Sequence, residues 1–148
     1  MILLTKLTHC LEDYLEAIYI IGTKKRVVRV KEIAEFLDVK TPSVVDAMSK
    51  LSEKNLINHE KYGYLNLSEE GLRIAKNIYK KHRQIYRFLK EVLGMDAETS
   101  ENDACGLEHH MSKNSMDKMV KLMEYLDSNP ENYSKWLKNF NDFAAKKK

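Results

Sequence analysis

The sequence has few of the residues that break or cross-link a chain: two prolines, five glycines and two cysteines among 148 residues. So little proline and glycine excludes collagen-like and linker-dominated chains. Two cysteines do not make a disulfide framework, so we expect a cytoplasmic protein. The longest strictly apolar run, Ala17–Ile21, is too short to span a bilayer, and the first residues turn polar too early for a secretory leader. The length allows one ordinary domain or two small ones.

No excess of one charge is present either, since 25 basic and 22 acidic residues leave a formal net charge of +3. The bulk charge therefore favours no class of partner. Locally, the segment 24–31 holds five cations in eight residues. Such a run is typical of a solvated loop or of a phosphate-facing patch, and the sequence leaves both interpretations open.

Hydrophobic spacing predicts a winged helix-turn-helix in the first half of the chain. Apolar residues three and four positions apart indicate helices, and alternating apolar residues around a tight turn at Tyr62-Gly63 indicate a hairpin. Gly22 is expected to end the first helix, and Thr41 to cap the third with Pro42 at its first position. In order, we predict a helix over Leu7–Ile21, an extended stretch Val27–Val30, helices Lys31–Leu37 and Pro42–Lys54, and strands Leu56–Glu60 and Tyr64–Leu67.

The second half is predicted to be entirely helical, so the fold class is mainly α. A long helix of about residues 69–93, capped by Ser68, links a DNA-binding domain of residues 1–72 to a helical domain of residues 73–148. Further helices are predicted over Ser100–Met111, Ser115–Leu126 and Tyr133–Ala145. Their apolar residues exceed what one small bundle obviously needs, so they pack either inside the subunit or across a dimer interface.

Three helices carry side chains that could bind a metal. Cys105, Glu108 and His109 stand at i, i+3 and i+4 and so share one helix face, and thiolate, carboxylate and imidazole together suit a transition metal. Asp13 and Glu16 share a face of the first helix, with Cys10 one turn earlier, and His82 lies in the long helix. Taken singly, each group is more typical of a solvated polar face, or of a buried cysteine beside one, than of a metal site. No phosphate loop, nucleophile elbow or Cys-x-x-Cys motif appears, so we expect no enzyme.

The chain resembles the metal-dependent repressors of the diphtheria toxin repressor and manganese transport regulator family along nearly its whole length. The resemblance rests on four segments in the same order and spacing: Leu11–Tyr19, the helix-turn-helix segments Lys31–Glu35 and Thr41–Val44, Leu67–Gly71 at the exit from the wing, and Cys105–Ser112. It implies a homodimeric repressor that binds a double-stranded DNA operator when loaded with a divalent metal. A membrane or a small-molecule substrate is not expected. The chain resembles the short form that lacks an SH3-like domain.

The family's ligand positions correspond to Asp13, Glu16, His82, Cys105 and Glu108, together with His109. Manganese-type members usually carry a carboxylate where this chain has Cys105, and iron-type members usually carry Met where it has Asp13. The chain is therefore a hybrid, and Mn²⁺ or Fe²⁺ is expected, with Co²⁺, Ni²⁺ or Zn²⁺ possible in vitro. One or two ions could bind per subunit.

The third predicted helix is expected to enter the major groove. It carries no Arg, Asn or Gln, so sequence reading would depend on small side chains, methyl contacts and DNA shape. The candidate DNA-binding residues are Arg29, Thr41, Pro42, Ser43, Val45, Asp46, Ser49, Lys50 and Lys61. Two rival interpretations are a winged-helix regulator indifferent to metal and a small metalloenzyme with an open site at Cys105, Glu108 and His109.

Overall fold

The computed structural model of the chain describes residues 7–60 and 63–146 and confirms a mainly helical protein with a small three-stranded sheet. The chain divides into two compact units, Met1–Tyr79 and Lys80–Lys148. The elements in order are α1 (His9–Lys24), β1 (Val28–Arg29), α2 (Val30–Leu37), α3 (Thr41–Glu53), β2 (Ile57–His59), β3 (Tyr64–Leu67), α4 (Glu69–Arg87), α5 (Ala97–Glu108), α6 (Lys113–Asp127) and α7 (Pro130–Lys146).

Helix α1 extends one turn beyond the predicted end. The Thr8 side chain accepts a hydrogen bond from the Leu11 N–H and caps the helix. Gly22 does not end it, because its backbone stays helical and the first unpaired carbonyls are covered instead by the Thr23 hydroxyl, which donates to the Ile20 carbonyl over 2.7 Å, and by the Lys25 N–H. A helix can tolerate an interior glycine at a cost of about 1 kcal/mol relative to alanine when its apolar face is buried.

Helices α2 and α3 form the helix-turn-helix. Asp38 adopts a left-handed conformation with φ of 52° and ends α2. The predicted cap at Thr41 is wrong by one position: Lys40 is the capping residue and supplies no side-chain hydrogen bond, so α3 begins at Thr41 with Pro42 as its second residue. Proline is well placed in this first turn because its missing N–H would have had no partner there.

The wing is an antiparallel sheet in the order β1-β3-β2. Val28 pairs with Leu65 and Arg29 with Tyr64 on one side of β3, and Ile57 pairs with Leu67 on the other. Side chains from α1, α2, α3 and the sheet fill one core, whose largest fully buried members are Leu15, Ile33, Val44, Met48, Leu51 and Leu65.

Helix α4 departs from the single long helix that the pattern predicts. It is α-helical to Arg87, then continues as a π-helical turn over Phe88–Val92. The widened turn is closed by the Leu93 N–H, which donates to the Phe88 carbonyl five residues earlier, over 3.2 Å. Gly94 then takes φ of 70°, a left-handed conformation that ends the helix.

In the second unit a small core of Ile85, Leu89, Ala104 and Met116 holds α4, α5 and α6 together. Asp96 caps α5 and Ser112 caps α6, so these helices begin two to three residues before their predicted starts at Ser100 and Ser115. The Arg87 guanidinium bridges Glu91 and Asp127 at 2.8 and 2.7 Å, which ties α4 to α6. In the part of the chain described, no helix is long and apolar enough to cross a membrane.

Candidate metal centre and DNA-binding face

His82 is the hub of a polar cluster in the second unit. Its ring is buried, and it lies on α4 facing the side of α5 that carries Glu101, Cys105 and Glu108. Nδ1 lies 2.7 Å from Glu108 Oε2 and 3.7 Å from Cys105 Sγ, while Nε2 lies 2.8 Å from Glu101 Oε1. Both ring nitrogens therefore point at groups that can carry a negative charge.

The surroundings of His82 decide its charge in the absence of metal. Burial lowers the pKa of the imidazole, but hydrogen bonds with Cys105 and Glu108 outweigh that effect and raise the pKa to about 11. The ring is thus an imidazolium shared between two carboxylates at neutral pH. Without a metal, this proton supplies the positive charge that the buried carboxylate of Glu108 needs.

Glu108 provides the test of whether a cation fits. Its side chain is buried, and its Oε1 atom accepts no hydrogen bond from any described residue. His109 Nε2 lies 3.3 Å from the same oxygen atom. A buried carboxylate oxygen without a hydrogen bond, next to two imidazoles and a thiol, has the donor chemistry of a divalent transition-metal site. The residues of this cluster therefore fit such an ion.

Asp13 and Glu16 belong to the first unit. They occupy one face of α1, where Asp13 is half-buried and Glu16 is buried. The remaining four predicted ligands, His82, Cys105, Glu108 and His109, belong to the second unit. Cys10 lies apart, in an exposed groove beside Ser43 and Lys50 of α3.

Glu101 is the member of the cluster that sequence reasoning missed. It lies one helical turn before Cys105 and two turns before Glu108, so the same spacing argument that selected those residues selects Glu101 as well. Its carboxylate is half-exposed and bonds His82 Nε2, where it orients the ring.

The outward face of α3 carries the predicted DNA-binding residues of that helix. All the predicted residues of this helix are exposed, and Val45 is 53% exposed. They are Thr41, Pro42, Ser43, Val45, Asp46, Ser49 and Lys50. Lys61 lies outside the described residues.

Arg29 lies at the junction of β1 and α2, on the wing side of the same unit. Its guanidinium stacks on the Tyr64 ring, 5.0 Å from the centroid, and donates to the Tyr64 hydroxyl over 3.1 Å. Elsewhere in the 24–31 run, Lys25 pairs with Glu32 at 2.5 Å and Lys31 approaches Glu35 at 3.9 Å. Carboxylates thus balance part of this basic segment, while Arg29 stays exposed.

Two family models match successive parts of the chain. The DNA-binding domain of iron-dependent repressors matches residues 6–65, and their metal-binding and dimerisation domain matches residues 68–137. The regulator MntR of Lysinibacillus sphaericus strain C3-41 is 36% identical over 84% of this chain and 88% of its own length. The chain belongs to the iron-dependent repressor family. MntR of Bacillus subtilis strain 168 is 38% identical over 81% of this chain and 84% of its own length.

Solved structures in the same family have the same fold. The manganese regulator SloR superposes with a TM-score of 0.71 at 31% identity, over 78% of this chain and 54% of the SloR chain. A manganese-dependent repressor in complex with manganese gives a TM-score of 0.72 at 27% identity, over 78% of this chain and 53% of its own. The present chain thus spans about half the length of these two solved chains.

Family membership decides between the rival functions. The chain is a metal-dependent transcriptional repressor of metal homeostasis, with a DNA-binding domain followed by a metal-binding dimerisation domain. The alternative of a metal-independent winged-helix regulator is overturned by these comparisons. The family consists of transcriptional regulators, which also removes the small-metalloenzyme interpretation.

Proposed function

We propose that this repressor senses Mn²⁺ or Fe²⁺ through the side chains of Asp13, Glu16, His82, Cys105, Glu108 and His109. The observation that carries the proposal is the buried Glu108 carboxylate, with one oxygen atom bonded to His82 and the other without a hydrogen bond among the described residues. When bound, a divalent metal would supply the positive charge that the buried carboxylate of Glu108 needs. The protein acts in the cytoplasm, where the free metal pool reports on supply.

The donor set supports one or two ions per subunit. Three carboxylates from Asp13, Glu16 and Glu108 suit Mn²⁺, while the Cys105 thiolate favours Fe²⁺ and the later transition metals. The preference among these ions therefore rests on the balance between hard oxygen donors and one soft sulfur. In vitro, Co²⁺, Ni²⁺ and Zn²⁺ are expected to substitute.

The proposed ligands on α1 connect metal binding to DNA binding inside the first unit. Leu15 and Ile18 of α1 share a core with Val44 and Leu51 of α3. Because protein cores are closely packed, a restraint on α1 is transmitted to the orientation of α3. Ligation of Asp13 and Glu16 would therefore favour the one arrangement of α3 that fits DNA, which is a population shift.

The proposed DNA target is an operator with two half-sites, one for each subunit of a homodimer. Helix α3 of each subunit would enter the major groove, and the half-sites would lie one helical turn or a multiple of it apart. Arg29, Lys50 and Lys61 would contact phosphates. Thr41, Pro42, Ser43, Val45, Asp46 and Ser49 would face the bases.

The experiment that tests the proposal measures DNA binding under defined metal conditions. Duplexes from upstream of the repressor's own gene and of neighbouring metal-transport genes are titrated with chelator-treated protein, then with added Mn²⁺, anaerobic Fe²⁺, Co²⁺ or Zn²⁺. We expect metal-loaded protein to bind operator roughly 5–150-fold more tightly than chelator-treated protein does. Equal binding in chelator would contradict the proposal.

The variant Glu108→Gln tests the ligand assignment. It keeps the shape of the side chain but removes the charge, so we expect metal-dependent DNA binding to fall to the level of chelator-treated protein. Asp103→Asn is the matched control, because Asp103 lies exposed on the same helix and loses the same charge. Loss of the metal response in both variants would mean that the charge of α5, rather than ligation by Glu108, is responsible.

A further inference from the structure

The outward face of α3 carries one carboxylate, Asp46, in the N-terminal half of the helix. Val44, Ala47, Met48 and Leu51 are buried against the core. With 100° of rotation per residue, Asp46 lies about 30° from the line opposite that buried face, beside Pro42 and Ser49. It is the sixth of the thirteen residues of α3 and so lies in the N-terminal half of the helix, the half whose residues contact base edges in a recognition helix.

Asp46 differs from its neighbours in what it can bind. An ionised carboxylate only accepts hydrogen bonds, whereas a serine hydroxyl both donates and accepts. The donors in the major groove are the amino groups of cytosine and adenine. Adenine places its N7 acceptor next to that amino group, where it repels the second carboxylate oxygen, so cytosine is the better partner.

Lys50 makes a carboxylate at this position tolerable. Its Nζ lies 2.7 Å from Asp46 Oδ2, and both side chains are more than half exposed. Lys50 is rotated about 70° from the centre of the face, towards the flank where a phosphate backbone would run. The ammonium contacts one carboxylate oxygen atom, Oδ2, and offsets the repulsion between Asp46 and the DNA phosphates.

We propose that Asp46 is the specificity-determining residue of this repressor and reads a cytosine at one position of each operator half-site, with Lys50 holding its carboxylate. This inference rests on the proposed entry of α3 into the major groove. It concerns which base is chosen, whereas the proposed function concerns whether metal-loaded protein binds DNA.

The test selects binding sequences from a random duplex pool with Mn²⁺-loaded protein. For the wild type we expect one cytosine in each half-site, and changing that base to thymine should weaken binding about tenfold. Asp46→Asn should change the preferred base at that position to adenine, because an amide both donates and accepts. Asp46→Ala should lose the preference there while the rest of the motif stays the same.

Glu53→Gln is the matched control. Glu53 is an exposed carboxylate on the same line of α3, but it lies about 10 Å further along the helix, at its C-terminal end. This variant should select the wild-type motif. An unchanged cytosine in the motifs of Asp46→Asn or Asp46→Ala would overturn the inference. If the wild type itself selects no motif with Mn²⁺ or Fe²⁺, the proposed function fails as well, and the two failures are thereby distinguished.

Discussion

At the scale of single residues, Cys105 is the one soft donor among the proposed metal ligands. Its Sγ lies 3.7 Å from His82 Nδ1, close enough to contribute to the same site. We predict that Cys105→Glu shifts selectivity towards Mn²⁺, because a hard carboxylate replaces a soft thiolate. The ratio of the Mn²⁺ affinity to the Fe²⁺ affinity should rise by about tenfold. Anaerobic competition titration measures this ratio.

Cys10→Ser is the control for this prediction. Cys10 is the other free cysteine, is also exposed, and lies beside α3 instead of in the cluster. Its replacement should leave the order of metal affinities as it is in the wild type. An unchanged ratio of Fe²⁺ to Mn²⁺ affinity in Cys105→Glu would show that sulfur does not ligate the metal.

The residues of the candidate site were only partly predictable. Spacing along one helix is local, so Cys105, Glu108 and His109 could be grouped from the sequence. The approach of His82 to Glu108 depends on how α4 packs on α5, and 26 residues separate them along the chain. His82 was a candidate by its residue type alone, and the resemblance to the family matched it to a ligand position. Glu101 was missed because it completes no familiar motif.

At the scale of elements, the start of α4 is fixed by a close approach to the wing. A Cβ on Gly71 would lie 2.0 Å from the Leu56 carbonyl oxygen, a backbone atom that also accepts the Ser68 N–H. We predict that Gly71→Ala destabilises the protein by about 1–3 kcal/mol, since α4 must move away from Leu56. Urea unfolding in the presence of chelator, at fixed protein concentration, measures this loss.

Gly106→Ala is the matched control in α5. A Cβ at Gly106 meets no atom within 4 Å, and the residue lies inside a helix. Alanine should therefore stabilise the protein by about 0.5–1 kcal/mol through its higher helix propensity. Equal and small effects of the two substitutions would mean that α4 does not dock as closely on Leu56 as the structure shows.

The order and type of the elements followed from periodicity, but their ends did not. Gly22 and Pro130 both look like breaks in the sequence, yet Gly22 lies inside α1 and Pro130 begins α7. Proline fits the first turn of a helix, so the same residue marks a start or a stop depending on its neighbours. The π-helical turn over Phe88–Val92 has no local signal, because it depends on backbone packing.

At the scale of the whole molecule, metal and operator are expected to act on one equilibrium. If metal raises the affinity for operator by a given factor, operator must raise the affinity for metal by the same factor, because both cycles connect the same four states. We predict that the two factors are equal and that their common value lies between roughly 5 and 150. Metal titrations with and without operator duplex, and operator titrations with and without metal, provide the two values independently.

Glu16→Ala separates this coupling from a structural role of α1. As a proposed ligand, Glu16 contributes only when metal is present, so the variant should bind operator as weakly as wild type in chelator and gain little on addition of Mn²⁺. Because Glu16 is buried in a helix whose core supports α3, a structural role would instead weaken DNA binding equally in both conditions. A coupling factor near one in the wild type would show that metal binding leaves the affinity for operator unchanged, and that it does not orient α3 for DNA binding.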